Sequence, residues 1–97
     1  MNKPVSDRVR DGIALLGDRV SEIDIERLDI HSMTDCPLGQ LFGNFGEGRR
    51  EMCLGSDIGP AEYGFDPYPY EMETNSNIWE DLRQEWKRQL RQLLTPA

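Results

Sequence analysis

Cysteine and histidine are scarce in this chain of 97 residues, which holds two of the first and one of the second. Two cysteines do not make a disulfide scaffold, so Cys36 and Cys53 read as free, buried thiols in a reducing compartment. A structural zinc site takes four ligands; His31 with the two cysteines falls one short, and no metal is expected. The sequence has no apolar run of about 18 residues, and its start shows no n-region, h-region and cleavage site. Neither a membrane span nor a signal peptide is therefore expected, and the expected location is the cytoplasm. Basic charge is also short, with 11 Lys and Arg against 18 Asp and Glu and a formal net charge of −7. Nonspecific nucleic-acid binding and docking on acidic membranes both need a basic face, so neither is expected. Catalytic signatures are missing as well. The glycines fit neither G-x-G-x-x-G nor G-x-x-x-x-G-K-[ST], and no nucleophile stands beside a base. The chain reads as a non-enzyme without a cofactor.

What is present is enough to fold. A hydrophobic content of 37% beside 30% charged residues suits one small domain over residues 1–97, with flexible ends at 1–5 and 95–97. The acidity lies before residue 77. Beyond it, Glu80, Asp81 and Glu85 are matched by Arg83, Lys87, Arg88 and Arg91. Between Asp57 and Glu73 there are acids and no base, interleaved with Tyr63, Phe65, Tyr68 and Tyr70. Acid mixed with aromatic side chains makes a protein-binding edge, so these four aromatics are the candidate partner contacts. The span 55–74 also carries Pro60, Pro67 and Pro69, which push their predecessors out of helix, and is expected to be an irregular loop with short strand-like pieces at 63–65 or 68–70.

Hydrophobic spacing places the helices. Val9, Ile13, Leu16 and Val20 form one stripe, capped at Ser6 or Asp7 and ended by Gly17, with a second short turn carrying Val20 and Ile23. Ile25, Leu28 and Ile30 suggest one or two further turns. Asp35 or Cys36 before Pro37 marks a helix start, and Leu38, Leu41, Phe42 and Phe45 supply its apolar face up to a terminator at Gly48. Ile78, Trp79, Leu82, Trp86, Leu90 and Leu93 define the last helix, with Asn77 and Glu80 as a cap pair. The expected fold is mainly α: a single small domain of three or four helices with a long irregular acidic loop, and with the Trp79/Trp86 helix packed on the glycine-bearing helix.

The densest cluster of glycines lies between Gly39 and Gly48. Glycine costs roughly 1 kcal/mol against alanine inside a helix. Gly39, Gly43 and Gly46 on one face would leave a bare strip for another backbone or for a flat ligand. Gly39, Gln40 and Gly43, with Arg49 and Arg50, are accordingly the candidate site for a small anionic, nucleotide-like ligand. Both tryptophans together with Phe42 and Phe45 are a large aromatic load for a chain of this length. A homodimer through an exposed helix face is one way to bury it.

Asp24, Leu28 and Asp29, followed by Cys36, Leu38, Gly39, Gln40, Leu41, Phe42, Gly43 and the aromatic Phe45, form the pattern D-x-x-x-L-D and C-x-L-G-Q-L-F-G. This resembles a group of short proteins encoded by actinobacteria and their phages, and the likeness extends to Tyr63 through Asp66 and to the Trp86 helix. The resemblance implies a phage or prophage setting, in which small acidic proteins often act by binding. The reading that results is a non-catalytic accessory protein that binds and modulates a host protein in host takeover or counter-defence. The alternative is a sponge for a nucleotide-like ligand, and mimicry of DNA comes third.

Overall fold

The computed structural model describes residues 4–54, 59–66 and 77–94. Among these residues five α-helices follow in order, α1 (Val5–Leu16), α2 (Pro37–Phe42), α3 (Phe45–Glu51), α4 (Gly59–Glu62) and α5 (Ile78–Leu94), with 3-10 turns at Gly17–Glu22 and Ile25–Arg27. No strand occurs among the described residues. The domain is mainly α, as expected. The short α4 lies inside the span read as loop, and Tyr63 to Phe65 form a turn rather than a strand. The ends at 1–3 and 95–97, the parts of the expected loop at 55–58 and 67–74, and the strand-like piece expected at 68–70 lie outside the described residues.

Local rules account for most boundaries. Gly17, at a φ of 62°, ends α1, and Val20 is buried in the turn that follows. The start differs from expectation: α1 begins at Val5, because the extended backbone of Pro4 leads straight into it and the Pro4 carbonyl accepts from Arg8 N at 3.0 Å. Cys36 caps α2, its Sγ accepting from Gly39 N at 3.2 Å, with Pro37 at the first helical position. Burial pushes the Cys36 thiol up, so it stays protonated while it caps.

Two expectations need correction. The glycine-bearing segment is not one helix ending at Gly48. Gly43, at a φ of 102°, ends α2; Asn44 then caps α3 through its Oδ1 and Glu47 N, and Gly48 lies buried inside α3. A side chain at Gly48 would press on Leu38 at 2.6 Å, so its bareness lets α3 fold back on α2. Nor does the tryptophan helix pack on this segment. It packs mainly on α1, where Trp86 lies so close to Gly12 that a Cβ at that position would come within 3.0 Å of its ring. Trp86 is fully buried, stacks on Phe65 with ring centroids 5.5 Å apart, and donates Nε1–H to the Gly64 carbonyl at 2.8 Å. Ile78, Leu82, Trp86 and Leu90 line the buried face of α5 and join Val9, Leu16, Leu28, Leu38 and Phe65 in one core.

Candidate functional site

The residues expected to hold an anion are engaged in the chain's own architecture. Space beside Gly39 is filled by the backbone of Met33 and Thr34. Gln40 bridges two segments: its Oε1 accepts from Asp24 N at 2.6 Å, while its Nε2 donates to the carbonyls of Asp24 at 3.1 Å and Asp35 at 2.9 Å. Gly43 supplies the break before α3 and borders open space. Arg49 Nε donates to the Leu54 carbonyl at 2.8 Å, and Arg50 pairs with Glu47 at 3.4 Å. The two arginines share a shallow depression with Gly46 and Cys53, and Gly39, Gln40 and Gly43 are not in its lining. Cys53 is exposed rather than buried, on a backbone with a φ of 59°, because it lies in the turn that follows α3.

The expected partner-contact aromatics divide. Phe65 is buried in the core against Trp86, and Tyr63 is half-buried with its ring 6.5 Å from that of Phe65. Tyr68 and Tyr70 lie outside the described residues.

A different set of side chains meets at the surface. The connector before α2 contributes Ile30, His31 and Met33, α3 contributes Phe45, and α5 contributes Trp79. Phe65 and Asp66, after α4, complete the lining. Together with Ser32 they enclose a cleft of about 200 Å³. His31 is exposed and stacks on the half-buried Trp79, with centroids 4.4 Å apart and planes 23° off parallel. Met33, 58% exposed, stands at the mouth.

The walls are held by local hydrogen bonds. Asp29 Oδ1 accepts from His31 N at 3.0 Å, Ser32 Oγ accepts from Asp35 N at 3.0 Å, and the Met33 carbonyl accepts from Phe45 N at 2.7 Å. The connector is thus an ordered surface, which suits recognition because little ordering entropy is lost on binding. Among the described residues Asp66 is the only carboxylate in the lining, and neither Lys nor Arg contributes to it.

The stripe in the sequence groups Trp79 with the core, against which it packs half-buried, and does not reveal the cleft. One signal was legible. Ile78, Leu82, Trp86 and Leu90 recur every four residues, and Trp79, one position after Ile78, is turned about 100° from that stripe. The meeting of Trp79 with His31 and Phe45 in one cleft carried no sequence signal, since it depends on where the connector and the start of α3 come to lie in the fold.

Among the described residues no three His, Cys, Asp or Glu side chains converge on a point that would hold a metal. No helix there is long and apolar enough to cross a membrane. Fold and cleft together define a small, mainly α-helical domain with a half-exposed aromatic cleft. Comparison with models of known protein families, with curated proteins and with solved structures found no match.

Proposed function

We propose that this is a non-catalytic binding protein that engages a partner protein through the Trp79 cleft, in the phage-type setting a host protein whose activity it modulates. The observation that carries this reading is a rigid aromatic side chain, Trp79, left half-exposed on a stacked His31 beside an ordered cleft. Interface energy concentrates in such anchor points, where one side chain of the partner is desolvated among aromatic walls. Volume favours a side chain over a free metabolite: about 200 Å³ is below the roughly 300–1,000 Å³ of small-molecule sites. The phage setting is supported by the resemblance of the Asp24 to Gly43 pattern alone.

Capture of a nucleotide-like anion beside Arg49 and Arg50 has less behind it, because Gln40 is occupied and Gly39 is closed off. Affinity capture from a host lysate, compared between the wild-type protein, Trp79→Ala and a Leu93→Ala control, tests the proposal. The expected result is one partner at fixed stoichiometry, retained by the control and lost with Trp79. Equal recovery by all three, with unchanged helical circular dichroism, overturns it.

A further inference from the structure

We infer that the side chain the cleft receives is an uncharged aromatic one, of the phenylalanine type. This rests on the proposal that the cleft is a partner-binding site and names what enters it. Ile30 and Phe65 are buried, at 4% and 1% exposure, and leave a guest little to touch. The surface that remains is supplied by the half-buried rings of Phe45 and Trp79, the exposed Met33 and the His31 ring stacked on Trp79.

Charge complementarity excludes ionic guests. The charged or titratable groups of the lining are His31 and Asp66, and Asp66 is already engaged in an interaction within the chain. Nearby in sequence, Asp29 accepts from the His31 backbone N–H, and Glu80, next to Trp79 on α5, pairs with Arg83. A lysine or arginine would face the His31 imidazole, cationic when protonated, and a carboxylate that is taken. A carboxylate or phosphate would face the like charge of Asp66 with one imidazole to offset it. Uncharged polar guests fare no better. Ser32 Oγ accepts from Thr34 N at 3.2 Å and Asp35 N at 3.0 Å, and the Met33 carbonyl accepts from Phe45 N at 2.7 Å. A hydroxyl or amide would give up water for groups that are already committed.

Among apolar guests the walls favour a ring. Aromatic pairs gain beyond the area they bury, and the thioether of Met33 suits a ring edge and adapts its shape to it. Size agrees: about 150 Å³ is enough for a benzene ring, and the cleft holds about 200 Å³.

The test uses the intact protein and blocked tripeptides Gly-X-Gly, with X as phenylalanine, leucine, methionine, serine, lysine or glutamate. Binding is followed by amide and indole shifts in two-dimensional NMR. The expected result is saturable shifts at His31, Met33, Phe45 and Trp79 with the phenylalanine peptide, about threefold or more tighter than with leucine or methionine and about tenfold or more tighter than with lysine or glutamate. Affinity should stay within about twofold between about 50 mM and about 500 mM salt, because no charge pair forms. Met33→Ser, at an exposed position that leaves the core untouched, should weaken the phenylalanine peptide about threefold.

Leucine binding as tightly as phenylalanine overturns the inference, and so does lysine or glutamate binding more tightly or an affinity that collapses with salt. Absence of any saturable peptide shift, with lysate capture still lost in Trp79→Ala, overturns it while leaving the partner-binding role intact. Absence of peptide shifts with capture unaffected by Trp79→Ala overturns both.

Discussion

Gln40 illustrates how far one side chain can be from the role its neighbours suggest. Set between two glycines' worth of apparent open surface, it resembles a ligand contact. Yet its amide makes three hydrogen bonds to backbone, tying the start of the Ile25–Arg27 turn and the residue before Cys36 to the middle of α2. A net contribution of about 1 kcal/mol per bond, with more where a buried partner is left unmet, sets the scale. Gln40→Ala is expected to lower stability by about 1–3 kcal/mol in urea unfolding with the m-value unchanged. Gln40→Glu keeps the acceptor but loses both donors, and should recover only part of that loss.

At the scale of elements, two short helices replace one long one because Gly43 adopts a backbone that ends α2 and Asn44 immediately starts α3. The pairing of α5 with α1, built on the approach of Trp86 to Gly12, also carries a polar link at one end of the buried stripe. Glu85 pairs with Arg88 and accepts from Gln89 Nε2 at 2.6 Å, and that nitrogen also donates to the Ser6 carbonyl on α1 at 2.9 Å. The hydrogen bond from Arg88 holds the Glu85 carboxyl below the usual carboxylate range. A carboxyl whose folded value is depressed contributes stability that is complete above its unfolded value. That contribution fades as pH falls from about 4.3 through the lower folded value. Stability measured from pH 7 to pH 2.5 should therefore fall more steeply below about pH 4.3 for the wild type than for Glu85→Gln. The two curves should approach each other at the acid end. Parallel curves across the whole range would show that the Glu85 link contributes nothing in solution.

At the scale of the whole molecule, Gly12 marks the point where α1, α5 and the turn at Tyr63 meet. A methyl group there would collide with the Tyr63 carbonyl and touch the Trp86 ring. The carbonyl belongs to backbone and Trp86 is locked between Phe65 and its bond to Gly64, so neither can yield. Gly12→Ala should cost about 3 kcal/mol or more, despite the gain in helix propensity, with loss of the buried tryptophan signature in fluorescence. Gly46→Ala is the contrasting case. Among the described residues its Cβ would meet only the Asn44 Oδ1 at 3.3 Å, and its effect should stay within about 1 kcal/mol in either direction.

The helical class, the cap at Cys36 and Pro37, the stop at Gly17 and the apolar stripe of α5 were readable from the sequence. Each follows from physics acting over a few residues: restricted dihedrals, orphan N–H groups needing acceptors, and a repeat matched to the helical turn. The break at Gly43 was masked by Leu41, Phe42 and Phe45, whose spacing continues a helical stripe across it. Tertiary structure alone decided which helix received Trp86, why Gly12 rather than Gly39 accommodates it, where Gln40 directs its amide, and that Trp79, His31 and Met33 share a surface cleft. Those outcomes depend on which distant segments arrive at the same place, and side-chain periodicity within one segment carries no record of what packs against it.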